Sequence, residues 1–292
     1  MNGAVAQIST GEFHTCALTT DELIYCWGRN HSGELGDSEG GTYGDESPVP
    51  VRVSDANDFV NGQVAQVDAG SYSTCAVTND GYAYCWGYNR FGNLGNNSRT
   101  SSNVPVKVVD NDGFVNGQIA QISTGGTAGY SHTCAVTTGG DLYCWGRNNH
   151  GQLGNNGVYL PDGDTGYCRC IVAPDPVSDA DGFVNGSVAQ VWGGNRHTCA
   201  LGIDGYVYCW GRNDRGQLGN NNTTNSPVPV RVLDANGFVN GSVEQLSASG
   251  LGGRWHTCVL TNERTAYCWG GNQNGELGDG SYAWSLVPTI GG

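Results

Sequence analysis

Thr15-Cys16-Ala17-Leu18 and, ten residues after its cysteine, Tyr25-Cys26-Trp27-Gly28 form a pattern that decides the fold of this 292-residue chain. The same spacing recurs between Cys75 and Cys85, Cys134 and Cys144, Cys199 and Cys209, and Cys258 and Cys268. Successive first cysteines lie 59, 59, 65 and 59 residues apart. One structural unit has therefore been copied five times. A single unit of this size cannot bury its own apolar faces, so the copies are expected to pack on one another.

The composition favours an all-β fold. Glycine accounts for 48 of the 292 residues, and the chain has one methionine and one lysine, Lys107. The strong helix formers are scarce. The glycines follow no three-residue period, which excludes collagen, and the evenly spaced β-branched and aromatic clusters argue against disorder.

The second copy shows the predicted unit most clearly. Four strands are predicted, at 64–70, 73–78, 82–86 and 104–108. Asn79-Asp80-Gly81 forms a three-residue hairpin loop between the second and third strands, with glycine where a left-handed residue is needed. Pro105 predicts an edge position for the fourth strand. This register places Cys75 directly opposite Cys85, at a Cα separation that a disulfide accepts.

The sequence therefore predicts five intra-blade disulfides, one for each pair, and each closes a short ring. The spacing lacks the Cys-x-x-Cys arrangement typical of zinc sites, so metal binding is disfavoured. Two further cysteines, Cys168 and Cys170, are expected to bond to each other as a loop staple, with a bridge to another chain as the alternative. Because disulfides persist in oxidising compartments, the protein is expected to be extracellular or displayed on a cell surface.

Both faces of the predicted strands contain apolar side chains, so each sheet needs a neighbour on either side. Five four-stranded antiparallel sheets arranged radially satisfy this need, and the fold class is a five-bladed β-propeller. Residues 1–292 are expected to form a single domain with blades at about 4–54, 63–109, 118–178, 187–233 and 242–290. A closed ring of five is expected. Since Asn2-Gly3-Ala4-Val5 already belongs to a repeat, the native protein is expected to be longer.

A ten-residue motif, Trp-Gly-x-Asn-x-x-Gly-x-Leu-Gly, occurs in all five copies, at 27–36, 86–95, 145–154, 210–219 and 269–278. Strands of the His-Thr-Cys-Ala-Leu type precede it. The chain resembles the regulator-of-chromosome-condensation repeat family over essentially its whole length. The resemblance implies a β-propeller with four antiparallel strands in each blade. Family members commonly have seven blades, whereas this chain has five, and the disulfides resemble those of bacterial surface proteins.

Charge narrows the classes of partner. The formal net charge is −14, and the 12 arginines are scattered among 27 acidic residues. A nucleic-acid surface needs clustered basic residues, so nucleic acid is not expected as a partner. No apolar run is long enough to span a bilayer, so membrane insertion is not expected either. A protein or a glycan is expected, and a homo-oligomer or larger assembly is possible.

The predicted binding residues are those that break the repeat symmetry. They are Tyr130, Tyr159, Trp192, Arg254 and Trp255. Copies three and five have extra residues at 125–130 and 250–254, and copy three has a further insertion around Tyr159. Tryptophan and arginine are frequent anchors at binding surfaces.

Recurring polar residues are expected to serve the scaffold. His14, His132, His197 and His256 occupy one position in four copies, so a hydrogen bond to neighbouring backbone is expected rather than catalysis. Asn30 and its four counterparts are expected to hold a turn. No nucleophile and base pair is recognisable, and no catalytic residue and no enzyme activity are expected.

No metal site is predicted, although calcium is a possible cofactor at two oxygen-rich kinds of segment. The first is the linker, at 55–58, 110–113, 179–182 and 234–237, for which plain Asx turns are the alternative. The second is the acidic loop at 37–46. No organic cofactor is expected.

The expected function is a non-catalytic extracellular or surface-displayed binding or assembly module that presents loops on a rigid propeller. A carbohydrate-binding, lectin-like propeller is one alternative. The family resemblance implies two more, enzyme inhibition and interaction of the guanine-nucleotide-exchange type. Light sensing by clustered tryptophans fits poorly, because five of the eight tryptophans belong to the repeat core.

Overall fold

The computed structural model describes residues 3–111, 113–114, 116–127, 130–157, 168–183, 185–249 and 255–291. These residues form twenty β-strands in five four-stranded antiparallel sheets, and no helix occurs among them. The prediction of an all-β fold with five propeller-type blades is confirmed. No helix in the described ranges is long and apolar enough to cross a membrane.

Within each sheet the strands follow one another in chain order. The first sheet contains β1 (Val5–Thr10), β2 (His14–Thr19), β3 (Ile24–Arg29) and β4 (Glu46–Arg52). The second contains β5 (Val64–Ala69), β6 (Ser73–Thr78), β7 (Ala83–Gly87) and β8 (Ser102–Lys107). The third contains β9 (Ile119–Gly125), β10 (His132–Thr137), β11 (Leu142–Arg147) and β12 (Cys170–Pro176).

The fourth and fifth sheets repeat this plan. The fourth contains β13 (Val188–Gly193), β14 (His197–Gly202), β15 (Val207–Gly211) and β16 (Ser226–Arg231). The fifth contains β17 (Val243–Ser249), β18 (His256–Thr261), β19 (Ala266–Gly270) and β20 (Ser285–Ile290). In every sheet the proline-bearing fourth strand lies at an edge, as its sequence predicts.

The cysteines set the register of the two central strands. Cys75 pairs directly with Cys85 across β6 and β7, and the loop glycine Gly81 has φ +81°. All five predicted intra-blade disulfides are present, each with a Cα–Cα distance of 4.1 Å. They join Cys16 to Cys26, Cys75 to Cys85, Cys134 to Cys144, Cys199 to Cys209, and Cys258 to Cys268.

The two remaining cysteines lie in the third copy. Cys168 and Cys170 are disulfide-bonded as well, and the other ten cysteines are already paired with one another. The expected staple between these two residues is therefore the pairing that remains within the chain.

The repeated asparagines hold the loop that follows each third strand. The side-chain Oδ1 of Asn30 accepts a hydrogen bond from the backbone N–H of Leu35 at 3.0 Å. The equivalent bonds have the same geometry at Asn89, Asn148, Asn213 and Asn272. The predicted turn-holding role is confirmed. The motif's spacing recurs because the asparagine must reach an amide five residues later.

Neighbouring sheets are joined by a contact that we call the loop clasp, formed by a Gly-x-Leu-Gly loop and the tryptophan of the following sheet. In the first clasp, the indole N–H of Trp86 donates to the backbone carbonyl of Glu34 at 2.9 Å, and the Thr74 hydroxyl donates to the same oxygen at 2.9 Å. Equivalent indole bonds join Trp145 to Asn93, Trp210 to Gln152 and Trp269 to Gln217. These four indoles are fully buried.

The chain groups into two compact units. The first comprises Met1–Thr138, Tyr143–Arg147 and Cys170–Pro176, and the second comprises Gly139–Leu142, Asn148–Arg169 and Val177–Gly292. Each unit has its own clasps and its own apolar cores. The assignment of residues 1–292 to a single domain stays a prediction, and so does closure of five blades into a ring.

Candidate functional site

Arginines stack on aromatic rings at one end of the sheets, where second strands begin and third strands end. In the first unit the guanidinium carbon of Arg29 lies 5.3 Å from the ring centroid of Phe13 and 4.4 Å from that of Tyr72. The two rings are 5.5 Å apart. A cationic group over an aromatic face is attracted by the ring quadrupole. Phe13 is 47% exposed, so this group is open to solvent on one side.

The same arginine lies beside a buried acid. Its Nε is 3.7 Å from Oε1 of Glu34, whose side chain is completely buried. Burial raises the pKa of the Glu34 carboxyl above its ordinary value, and the backbone N–H of Ser32 and the nearby Arg29 act against that rise. Arg29 therefore lies next to a buried carboxyl group and against two aromatic rings.

A row of rings continues from this group along the first unit. Tyr72 lies 6.0 Å from Tyr88, and Tyr88 lies 5.9 Å from Phe91. The guanidinium carbon of Arg147 follows, 5.0 Å from Phe91 and 4.2 Å from Tyr130. The row therefore has three consecutive rings between two arginines, and it ends at Tyr130, one of the predicted binding residues.

The second unit has a comparable group around Trp255. The guanidinium carbon of Arg212 lies 3.7 Å from a Trp255 ring centroid, and that of Arg196 lies 5.3 Å from it. Asp214 accepts two hydrogen bonds from Arg212, at 2.9 and 2.7 Å, which fixes the guanidinium plane. Trp255 is only 6% exposed, so the arginines rather than the indole face the solvent.

An open cleft lies nearby in the second unit. It has a volume of about 250 Å³ and is lined by Arg215, Gln273, Tyr282 and Trp284, together with Gly271, Asn272 and Ala283. The Arg215 guanidinium carbon lies 4.7 Å from the ring of Trp284. Tyr282 is 77% exposed and Trp284 is 46% exposed. Large exposed aromatic side chains next to one another are unusual on a solvated surface and mark binding sites.

A second cleft occupies the equivalent place in the first sheet. It has a volume of about 510 Å³, and its lining includes Phe13, Arg29, His31, Glu46 and Pro48. Unlike the cleft at Trp284, it has an acidic residue on its wall. The two clefts therefore present different charge to a ligand although they derive from the same repeat position.

The five predicted binding residues occupy different surroundings. Tyr130 and Trp255 lie in the two arginine–aromatic groups. Trp192 is half-buried, pairs with Cys199 in the fourth sheet and packs against that sheet's apolar core. Tyr159 and Arg254 lie outside the described residues, as do parts of the insertions that contain them. The assignment of these five residues to a binding site stays a prediction.

Sequence reasoning missed the arginines that cover the rings. Arg29, Arg147 and Arg212 occupy the position directly after the Cys-Trp-Gly triplet, with Tyr88 in the second copy. This shared position is a usable signal, because one repeat position must occupy one place in every sheet. Arg215 occupies the repeat position of Phe91 and His150, whereas Trp284 occupies that of Ser101 and Asn225, so the tryptophan of the cleft has no such signal.

Three of the four repeated histidines, His14, His132 and His197, are buried structural groups. Nε2 of His14 lies 2.8 Å from the Thr74 hydroxyl of the next sheet, and His197 makes the same contact with Thr257 at 3.1 Å. Sequence analysis predicts backbone partners, whereas these contacts are made with a threonine side chain. Burial lowers the pKa of His14 and of His132 to about 4, so both imidazoles are neutral at physiological pH.

The oxygen-rich linker segments use their carboxylates internally. Oδ1 of Asp55 accepts a hydrogen bond from the backbone N–H of Asn61 at 2.8 Å, and Asp110, Asp179 and Asp234 make equivalent bonds. In the acidic loop, Asp45 accepts from both the backbone and the hydroxyl of Thr42. Across the described ranges no three histidine, cysteine, aspartate or glutamate residues are grouped to hold a metal ion.

Comparison with known proteins identifies the repeat. The family model of the RCC1-like domain matches residues 1–290. The ultraviolet-B receptor UVR8 of Arabidopsis thaliana is 35% identical over 290 residues, which cover 98% of this chain and 57% of the receptor. The chain thus spans little more than half the length of that relative.

Two solved structures have a similar fold. Human WBSCR16 superposes with a TM-score of 0.76 at 24% sequence identity, over 99% of this chain and 67% of the human chain. Prp20p from Saccharomyces cerevisiae, whose binding to Gsp1p and histones is described with its structure, superposes with a TM-score of 0.57 at 20% identity, over 99% of this chain and 77% of its own.

Proposed function

The chain belongs to the RCC1-like domain family. We propose that it is a non-catalytic module that binds a protein segment at the end of its sheets where arginines stack on aromatic rings. A propeller of this family is suited to protein interaction, because its strands form a rigid support for exposed loops. The disulfide in every sheet adds to that rigidity, since it ties the two central strands together.

The cleft at Trp284 is the observation on which the proposal depends. Trp284 and Tyr282 offer exposed rings, and Arg215 has no carboxylate partner among the described residues. Tryptophan, tyrosine and arginine are the side chains that most often dominate the binding energy of protein interfaces. The expected ligand is a peptide segment that places an apolar or aromatic side chain against the rings and a carboxylate against Arg215.

Charge supports this orientation of the partner. The chain as a whole has a net charge of −14, so an acidic partner is repelled by most of its surface. Arg215 and the stacked arginines at Trp255 provide positive charge in the second unit. An acidic segment is therefore expected to dock at this end rather than elsewhere.

A protein partner is also in keeping with a family relative, since the yeast protein Prp20p binds Gsp1p and histones. Guanine-nucleotide exchange and enzyme inhibition are special cases of such binding. Exchange assays with small GTPases and inhibition assays with hydrolases would identify either one.

We further propose that the protein works outside the cell or on a cell surface. Support comes from the oxidised state of all twelve cysteines, since disulfides are rare in reducing compartments. Thiol counting on protein from its native source, alkylated under denaturing conditions without reductant, is expected to find no free thiol. A dozen alkylated cysteines would contradict this location.

The binding proposal is tested on arrays of acidic, aromatic-containing peptides and, in parallel, of glycans. We expect binding to the peptides, and Trp284→Ala and Arg215→Ala should each weaken it at least about tenfold, as for interface anchors. Tyr43→Ala is the matched control, because Tyr43 is another aromatic side chain that is 96% exposed and it does not line the cleft.

Binding that is unchanged by both cleft variants would refute the site. Binding to glycans and to no peptide would replace the proposal with the lectin-like alternative.

A further inference from the structure

The asparagine that holds the loop after each third strand also has its own backbone N–H to satisfy. In the first and third copies this N–H donates to a backbone carbonyl. The bond runs from Asn30 to Asp45 at 2.8 Å and, in the third copy, from Asn148 to Arg169 at 3.0 Å. In both copies the acceptor lies close to the start of the fourth strand.

The second and fourth copies use a side chain as the acceptor. The backbone N–H of Asn89 donates to the hydroxyl of Ser101 at 3.2 Å. The backbone N–H of Asn213 donates to the side-chain oxygen of Asn225 at 2.8 Å. Ser101 and Asn225 share one repeat position, directly before the fourth strand. The side chain at this position therefore pairs the asparagine N–H.

The fifth copy lacks this acceptor. Trp284 lies directly before the fourth strand of its sheet, and an indole side chain donates hydrogen bonds but does not accept them. The side-chain amide of Asn272 donates to the carbonyl of Ala283 at 2.9 Å, so the loop itself is closed. The backbone N–H of Asn272, however, has no acceptor in the described part of the chain.

This unpaired donor belongs to the cleft already described. Asn272 is 0% exposed and lines the cleft together with Trp284 and Arg215, and all three residues belong to the second compact unit. Because the acceptor comes from the position of Trp284 in two other copies, the N–H lies on the Trp284 side of the loop. Buried backbone donors without an acceptor destabilise the fold and are rare in proteins. One on the wall of a cleft indicates a donor that a bound ligand pairs.

The charge of the cleft narrows the kind of acceptor. The guanidinium carbon of Arg215 lies 4.7 Å from the ring of Trp284. The described residues that line the cleft include no aspartate and no glutamate. A backbone N–H and a guanidinium on one cleft favour an oxygen with negative charge, because charge-assisted hydrogen bonds are the stronger kind. In a peptide that oxygen belongs to a carboxylate.

We propose that the backbone N–H of Asn272 binds a carboxylate oxygen of the peptide, in place of the side chain that accepts this bond in the second and fourth copies. The inference rests on the proposed function and specifies the group that the cleft recognises. Trp284 then has two effects: its ring contacts the ligand, and its lack of an acceptor leaves the N–H for the carboxylate.

Substitutions at Trp284 test the unpaired donor without any ligand. Trp284→Ser restores the residue of the second copy, whereas Trp284→Ala removes the same ring and supplies no acceptor. We expect Trp284→Ser to unfold at a higher urea concentration than Trp284→Ala, because its hydroxyl accepts from Asn272. Tyr43→Ser and Tyr43→Ala are the matched pair and should unfold at the same concentration, since Tyr43 is 96% exposed. Equal urea midpoints for the two Trp284 variants would overturn the proposal.

A titration followed by NMR tests the ligand. The probes are acidic, aromatic-containing peptides that bind on the array, added to isotope-labelled protein. We expect the Asn272 amide proton to shift downfield on binding. The amide protons of Asn89 and Asn213 should stay in place, because they already have acceptors.

Two forms of the peptide distinguish the source of the carboxylate. An amidated C-terminus leaves only side-chain carboxylates, and replacement of aspartate and glutamate by their amides leaves only the C-terminal carboxylate. The form that still shifts the Asn272 resonance identifies the source. Binding that depends on Trp284 and Arg215 but leaves this resonance unchanged would overturn the inference and leave the proposed function standing. If no acidic peptide binds, both fail.

Discussion

The indole nitrogen of Trp86 lies 2.9 Å from the carbonyl oxygen of Glu34, and this bond joins two consecutive sheets. The two residues are 52 positions apart in three of the four clasps, and 58 apart in the clasp between Trp210 and Gln152. A buried indole N–H without an acceptor would destabilise the fold by about 1–3 kcal/mol. The clasp therefore explains why a glycine-framed loop follows each third strand.

Gly36→Ala should destabilise the first clasp. The new Cβ would lie 2.6 Å from Nε1 of Trp86, and Gly36 has φ +66°. We expect the free energy of unfolding in urea to fall by roughly 2–4 kcal/mol, from backbone strain and overpacking together. Gly41→Ala is the control, because Gly41 also has a positive φ but nothing within 4 Å of an added Cβ. Equal losses in both variants would mean that the close approach to Trp86 has no energetic effect.

Replacing both Cys75 and Cys85 with alanine should reduce the free energy of unfolding by roughly 2–3 kcal/mol. The disulfide closes a ring with a sequence separation of 10, which limits the entropy of the unfolded chain. Denaturant unfolding of the variant and the wild type, without reductant, measures the difference. Unfolding at the same denaturant concentration in both would show that the bond adds nothing to stability.

Stability should fall on acidification because of the buried histidines. Their pKa is about 4 in the folded chain, compared with 6.5 for the unperturbed group, so the unfolded chain binds more protons between these values. The free energy of unfolding should decrease as the pH falls from about 6.5 towards 4, and the histidines should cause no further change below that. Each of the two histidines, His14 and His132, should lower the free energy of unfolding by on the order of 3 kcal/mol once the pH is below both pKa values.

His14→Ser tests this pH dependence, because serine already occupies the equivalent position at Ser73 in the second sheet. The variant should lose less stability than the wild type as the medium is acidified from neutral pH into the range between the two pKa values. Identical slopes would show that His14 does not titrate in this range.

Asn61→Ala should be among the most damaging single substitutions. The side-chain N–H group of Asn61 donates to the carbonyls of Ile24 and Val53, and its side-chain oxygen accepts from the N–H of Ile24. Asn61 is only 3% exposed. Removing the amide leaves three buried backbone groups without these partners, so we expect a loss of about 3 kcal/mol or more in thermal or urea unfolding. Asn103→Ala is the control, since the Asn103 amide makes one such bond, to the carbonyl of Ser38 at the surface. A loss no larger than that of the control would refute the bracing role of Asn61.

The fold within each sheet could be predicted because its determinants are local. The spacing of Cys75 and Cys85 alone specifies the hairpin register, and Asn79-Asp80-Gly81 specifies its turn. Pro105 indicates the edge strand for the reason that it cannot donate a backbone hydrogen bond. Each of these features depends on a short stretch of consecutive residues.

Contacts between sheets could not be predicted from the same patterns. The repeated tryptophan indicates a core residue, but its acceptor lies in the preceding copy, and no local pattern identifies Glu34 as the partner. The candidate site could not be predicted from the sequence for the same reason. The sequence predicts Trp255 as an exposed anchor, whereas Arg196 and Arg212 cover it. Their arrangement arises from the packing of different copies.

Each intra-blade disulfide ties the second strand to the third and leaves the first and fourth strands without a covalent bond to a neighbouring strand. When the chain is pulled from its two termini, the first and fourth strands of each sheet should therefore detach first. The disulfide-bonded hairpins of the second and third strands should resist extension. The five intra-blade disulfides each close a loop with a sequence separation of 10. Together they keep about 50 residues, or roughly 170 Å, out of the contour length of the extended chain. Single-molecule force spectroscopy with and without reductant would register that difference in contour length.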